Sequence, residues 1–349
     1  MHRADKATLR VTVGLGAATA LAYGLALPLP FVVCVMAALV LCKPGPPLSL
    51  AKGALATLMF CMLLAAGMLT VPLLEHQAFT GLLLTASVLY VVFYGGLRLS
   101  HPLTPVLLLA FALIPVAGVA EQALVGALIV SMGLGIVVGT MVNAMSHALF
   151  PDRPVARASP ASRPGVDQAT PAWIALRGTL IVMPVFVLAL TNPSLYIAAI
   201  MKTVTLGQQA SHTNARHAGR ELVGSTLAGA LIGAAVWLGL SVWASLWMLV
   251  LWLTGAALWC ASAMFGARRS ASPPSFWANA LVTALILLGP AIEDSANGKN
   301  VLQASLVRTA LFVAVACYAS ATVWVLERWR SARVRPAHAP RLRPDQAAS

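Results

Sequence analysis

Acidic side chains are scarce in this sequence. Aspartate and glutamate together number 10 in 349 residues, and two of them adjoin only at Glu293-Asp294. Membrane enzymes that act on lipid-linked substrates use clustered Asp, Glu or His at the membrane face for metal and acid–base work, and the sequence has no such cluster. Nor does a carboxylate fall at the middle of an apolar segment, which weakens a carboxylate proton relay. Charged residues of all kinds make up 9%, against about 25% in soluble domains. The five cysteines, Cys34, Cys42, Cys61, Cys260 and Cys317, each lie within or at the edge of an apolar run. No CxxC or Cys/His metal spacing accompanies them, so they read as small buried hydrophobes rather than a disulfide framework. His212 and His217 are five apart with no third ligand, which argues against zinc. GxxxxGK[ST] is absent, so nucleotide-driven chemistry is discounted. No cofactor and no metal is expected.

Apolar residues are abundant instead, at 59% with a mean hydropathy of +0.85. A water-soluble chain of this length cannot hide that much apolar surface, and lipid is its natural solvent. The formal net charge is +13. The basic residues flank apolar segments instead of forming a groove-sized patch, so they read as anchors to membrane lipid and no nucleic acid is expected as a partner.

The fold class expected is an all-α, polytopic membrane bundle of about twelve helices. Apolar segments fall at roughly 9–27, 29–42, 50–73, 79–97, 103–118 and 121–149, then at 173–190, 194–206, 219–239, 242–265, 276–291 and 300–326. The first membrane set occupies 1–150, a cytoplasmic linker 151–171, the second set 172–326, and a disordered basic tail 327–349. The N-terminal run lacks a small-residue cleavage site and reads as an uncleaved first span. Pro28-Leu29-Pro30 divides the first two segments, where two short helices and a re-entrant hairpin both fit. With both termini in the cytoplasm and twelve alternating spans, all of the 23 basic residues except Lys299 and Arg308 fall inside, as the positive-inside rule requires. Ten spans preserve the same parity.

The two sets resemble one another. Ala7-Thr-Leu-Arg10 opens the first and Ile174-Ala-Leu-Arg177 the second. Pro28 follows the first arginine by eighteen residues, and Pro193 the second by sixteen. Gln122-Ala123 and Gln303-Ala304 begin long closing segments, which reach His147 and Arg328 after equal intervals. Six spans per set give the halves one orientation, a parallel repeat of the kind that frames a substrate path in transporters.

The segment Gly219-Arg-Glu-Leu-Val-Gly224-Ser-Thr-Leu-Ala-Gly229-Ala-Leu-Ile-Gly233 resembles a helix of the fusaric acid resistance (FUSC) family, which includes aromatic carboxylic acid exporters. His2-Arg-Ala-Asp-Lys-Ala-Thr-Leu-Arg10 and Leu27-Pro-Leu-Pro30 are similar to its shorter branch, the DUF2955 domain. The likeness in layout covers roughly residues 2 to 330. It implies a bacterial inner-membrane efflux component that works with a periplasmic adaptor of the HlyD or EmrA type and an outer-membrane channel. Many such proteins carry a large cytoplasmic domain, and this chain has only the short linker there.

Several residues are candidates for chemistry. Lys202, Arg216 and Arg220 fall in what reads as a polar inner loop from Lys202 to Glu221, where they either draw in an anionic aromatic substrate or anchor to lipid. Arg10 and Arg177 occupy matching positions that either flank an entrance or bind lipid phosphate. Arg308, some eight residues into the last segment, either faces the bundle interior, with Glu293, Asp294 or Glu121 as partner, or snorkels outward. Asn192 and Asn143 are polar groups in apolar surroundings. Gly135 and Gly139, and Gly229 and Gly233, form GxxxG pairs, with Gly224 nearby, that serve helix packing or a crossing at the substrate path. Together these features predict an exporter of small aromatic or amphipathic organic anions, not an enzyme. The rivals are a membrane enzyme on lipid-linked substrates and a scaffold without transport activity, and a homo-oligomer stays open.

Overall fold

A computed structural model describes residues 2–43, 49–99, 104–151, 171–212, 215–298 and 301–334. The linker arginines Arg153, Arg157 and Arg163, together with Lys299 and the chain from 335 onward, lie outside the described residues. Every regular element among the described residues is helical. Lipid offers no partner for backbone N–H and C=O groups, so a chain this apolar satisfies them within helices. The helices are α1 (Arg3–Gly24), α2 (Pro30–Leu41), α3 (Leu50–Ala66), α4 (Val71–His76), α5 (Ala78–Leu99), α6 (Thr104–Ala112), α7 (Ile114–Ala120) and α8 (Gln122–Leu149). After the linker come α9 (Pro171–Thr191), α10 (Pro193–His212), α11 (Ala215–Val242), α12 (Leu246–Met264), α13 (Pro274–Ala296) and α14 (Val301–Val334). A 3₁₀ turn, Gly67–Thr70, joins α3 to α4.

Eight of these units are long and apolar enough to cross a membrane: α3 with α4, then α5, α8, α9, α11, α12, α13 and α14. Their outward faces carry bare hydrophobes such as Leu69, Phe79, Leu231, Val242 and Trp247. Apolar surface on this scale is stable only in contact with lipid. The architecture is that of a multi-pass helical membrane bundle.

Pro28-Leu29-Pro30 makes a true break. A proline pushes the residue before it out of the right-handed helical region, and Leu29 takes φ 42°. Ser131 Oγ on α8 donates to the Pro28 carbonyl at 2.5 Å, which ties the bend to the bundle. The following α2 has 12 residues, about 18 Å of helix, well short of the roughly 30 Å hydrocarbon core. It is buried from Phe31 through Ala38 and apolar on every side, the signature of a central helix. The segment read as 103–118 is interrupted at Leu113, between α6 and α7, where Pro115 is near the start of α7 and supplies no N–H.

Two boundaries differ from the sequence reading. The stretch from Lys202 to Glu221 is not a loop over most of its length: α10 continues through Gln208 and Gln209 to His212, and α11 begins at Ala215. Polar residues do not end a helix by themselves, and no proline lies in this stretch to break it. Likewise α14 runs on through the first part of the basic tail, to Val334.

Within the first half, α8 packs on α1, α2 and α3, and α3 and α5 pack on α6. Within the second, α14 packs on α9, α10 and α11, and α11 and α12 pack on α13. The halves are joined by α1 with α12, α5 with α9, α2 with α13 and α6–α7 with α10, and by a smaller contact of α7 with α9.

Glycines set the closest approaches. A Cβ at Gly135 would lie 2.5 Å from Met36 Cβ, and one at Gly139 2.9 Å from Ala37 Cα, so α8 and α2 meet almost backbone to backbone. On α11, a Cβ at Gly229 would lie 2.5 Å from the Ala280 carbonyl oxygen, whereas one at Gly233 would lie 3.6 Å from the Ala284 oxygen. At Gly224 the neighbour is the Phe276 ring at 3.1 Å. Gly229→Ala therefore forces α11 from α13 and is expected to cost about 1–3 kcal/mol. Gly233→Ala is expected to be close to neutral. Thermal unfolding of the two variants in detergent checks the contrast, and equal midpoints would refute it.

Candidate functional site

Lys202 lies near the middle of α10 with its side chain wholly removed from solvent. Its Nζ donates to Thr283 Oγ1 at 2.6 Å and to Asn279 Oδ1 at 3.1 Å, both on α13. The partners are themselves held: Thr283 Oγ1 donates to the Asn279 carbonyl at 2.6 Å, and Asn279 Nδ2 donates to Ser225 Oγ on α11 at 2.7 Å. An ammonium has three donors, and only two have acceptors among the described residues. No carboxylate among the described residues pairs with it. A buried ammonium carries a desolvation penalty of several kcal/mol that neutral hydrogen-bond partners offset only in part.

Two polar layers bracket Lys202 along the bundle. In one, Arg177 on α9 pairs with Glu327 on α14 at 3.2 Å and donates to the carbonyl of Ala210 on α10. In the other, Arg308 on α14 pairs with Asp294 on α13 at 2.6 Å. Arg308 and Glu327 are nineteen residues apart on α14, about 28 Å at 1.5 Å per residue and close to the hydrocarbon thickness. Lys202 precedes Ala210 by eight residues, about 12 Å from the first layer. Thr283 precedes Asp294 by eleven, about 17 Å from the second. Both routes put Lys202 Nζ roughly midway between the two layers, and its place inside α10 corrects its reading as a loop residue.

No family model matches the chain, and no curated protein or solved structure resembles it.

Arg10 is buried at the start of α1 and donates through Nε to the Phe150 carbonyl at 3.0 Å; its Nη1 lies 3.1 Å from His147 Nε2 on α8. It thus ties α1 to the end of α8, much as Arg177 ties α9 to α14. Arg220 is exposed on the second turn of α11, and Asn192 is exposed between α9 and α10. Arg216 falls in the first turn of α11, with its side chain outside the described residues. Neither Arg220 nor Asn192 joins the Lys202 cluster. Asn143 on α8 offers its carbonyl to Ser146 and His147.

Sequence reasoning missed Asn279, Thr283 and Ser225. A signal was present: Asn279 and Thr283 are polar residues four apart within an apolar run, hence on one helix face, and Ser225-Thr226 interrupts the next. Glu327 was also missed as a partner of Arg177, because it was assigned to the tail.

The Arg177–Glu327 pair makes a direct prediction. Arg177 is almost fully buried and Glu327 mostly so. Glu327→Ala leaves a buried guanidinium without its counter-charge and is expected to cost about 3 kcal/mol. The double variant Arg177→Leu/Glu327→Leu is expected to recover most of the loss. A double-mutant cycle on unfolding midpoints checks this, and a loss of under about 1 kcal/mol for the single variant would mean that water reaches the pair.

Proposed function

We propose that this chain is an exporter of small aromatic or amphipathic organic anions, built from two like-oriented sets of six helices. The observation that supports it most is the Lys202 site, a fully buried lysine amine with neutral hydrogen-bond partners, roughly midway between the two ion-pair layers. It lies on α10 and α13, two of the helices that join the halves. Transporters commonly bind substrate near the bilayer midplane at a repeat interface.

The helix pairings favour the repeat. Number α1, α2, α3–α4, α5, α6–α7 and α8 as one to six, and α9 to α14 likewise. Then each of the packing contacts described above within one half has its counterpart in the other, and the larger contacts between halves are one with four, four with one, two with five, and five with two, while the smaller α7–α9 contact has no counterpart of like size. An approximate twofold relation gives that pattern. The paired arginines at the start of each half fit it, as do two stacked cations: Arg98 lies over the Tyr94 ring at 5.3 Å and Arg268 over Trp259 at 3.9 Å. Twelve units, α2 and α6–α7 among them, remain compatible with both termini on the cytoplasmic side of a bacterial inner membrane.

A short α2 packed tightly on α13 favours the rival scaffold reading, since Phe31 already fills the space beside Gly289. The resemblance to fusaric acid resistance proteins leads us to propose a HlyD- or EmrA-type adaptor as partner. A deletion strain challenged with a panel of aromatic acids is expected to be hypersensitive to at least one and to accumulate it. Unchanged sensitivity and accumulation across the panel would leave the scaffold reading in possession.

A further inference from the structure

We propose that Arg268 is the seat of one anionic phospholipid, whose phosphate it holds at the junction of α12 and α13. The site is separate from Lys202, and it does not depend on the exporter reading.

The chain turns sharply after α12. Gly266 takes φ 81°, a left-handed conformation that commonly ends a helix. Beyond it the Arg268 N–H donates to the Ser262 carbonyl at 2.8 Å. The reversal folds Arg268 back along α12. Its guanidinium carbon lies 3.9 Å from the centre of the Trp259 ring on α12 and 5.0 Å from that of Trp277 on α13. Trp277 is itself held in place, because its Nε1 donates to Ser270 Oγ at 2.8 Å. An arginine at the end of a membrane helix ordinarily carries its charge outward to water. This one turns its charge back between two indoles, at the ends of two apolar helices.

Nε and Nη2 of Arg268 are shielded and have no acceptor among the described residues, which leaves Nη1 as the nitrogen that a ligand can reach. No acidic residue occurs from Leu246 to Ile292. The helices packed on α12 and α13 are α1, α2, α10, α11 and α14. The carboxylates that they bring to this end of the bundle are Asp5 on α1, Glu221 on α11 and Glu327 on α14. Asp5 accepts the His2 N–H, and Glu327 pairs with Arg177. None of the three pairs with Arg268. Arg269 follows in the chain and is exposed.

The chemistry of the ligand comes from these surroundings. A guanidinium whose faces rest on indoles offers its N–H edge to an oxyanion. Trp259 is exposed on a helix that crosses the membrane, and tryptophans at helix ends mark the headgroup level. The oxyanion found at that level of a bilayer is a lipid phosphate. The indole faces that line the site already hold a cation, and Arg269 adds a second positive charge. A choline or ammonium headgroup is therefore disfavoured against an anionic one.

The full chain in phosphatidylcholine vesicles tests this through its tryptophan fluorescence. Phosphatidylglycerol or phosphatidylcholine, brominated in the acyl chains, is added in increasing fraction and quenches the indoles it touches. In the parent, part of the emission is expected to be quenched at an about tenfold lower mole fraction of the brominated phosphatidylglycerol. Arg268→Gln, with every tryptophan retained, is expected to lose that difference, whereas Arg268→Lys keeps part of it and Arg269→Gln most of it. Coincident curves for the two lipids in the parent would overturn the proposal without need of any variant. A difference that survives Arg268→Gln would also overturn it. So would its loss on adding inorganic phosphate at constant ionic strength, which would make the ligand a free phosphate.

Discussion

Lys202→Met is expected to yield a protein that is as stable as the parent, or more so, and exports at least about 100-fold more slowly. The two halves of this result have the same cause. Lys202 is fully buried, and among the described residues its Nζ hydrogen-bonds only to Asn279 and Thr283. Replacing a buried ion by an apolar side chain of similar volume is often neutral or stabilising by about 1–4 kcal/mol, because the desolvation penalty disappears. Methionine has nearly the length of the lysine stem and adapts its shape. Asn279 stays bonded to Ser225, and Thr283 to the Asn279 carbonyl, so the variant strands little. Function moves the other way. Losing one member of a buried, hydrogen-bonded charge pair costs about 2–5 kcal/mol of binding, and a 100-fold loss corresponds to about 2.7 kcal/mol. Unfolding midpoints and efflux rates measured on the same preparation check both halves. A variant that loses stability and export together would make Lys202 a structural residue. One that keeps export would remove the site from the pathway.

What was legible in the sequence was set by solvent. The apolar runs announce helices because lipid permits little else, and charges at their ends mark their limits. The places where the reading failed are those where one residue serves two roles. Lys202 was grouped with the polar residues after it, since a lysine beside Gln208, Gln209 and His212 resembles a connection. In the structure the helix continues to His212, and depth, which no one-dimensional pattern carries, sets Lys202 apart from Arg220. Asn279 and Thr283 were legible only as mild polarity in α13, because a hydrogen-bonded pair four residues apart looks the same facing a neighbour helix as facing water. Arg10 and Arg177 were found by the likeness of the two halves. Their partners were not, because the Phe150 and Ala210 carbonyls that receive them are backbone groups without a sequence signature.

Asp294→Ala is expected to be among the most destabilising single substitutions near the surface, costing about 3 kcal/mol, while Asp294→Leu/Arg308→Leu recovers most of it. The two side chains meet at 2.6 Å and are largely shielded from solvent. They join the last turn of α13 to the third turn of α14. Arg308 lies about 28 Å along α14 from Glu327, a separation close to the hydrocarbon thickness. A guanidinium left there without Asp294 keeps its desolvation penalty and loses its counter-charge. Removing both charges leaves an apolar contact, which lipid tolerates. A loss below about 1 kcal/mol for Asp294→Ala would show that Arg308 snorkels to water on its long stem. The same variants settle the role of Arg308 in transport. Because Asp294 already occupies its fork, the guanidinium is not free to receive a substrate carboxylate. The double variant is therefore expected to export at close to the parental rate, in contrast with Lys202→Met. Loss of export at normal stability would instead put Arg308 in the path, with Asp294 as the group an arriving anion displaces.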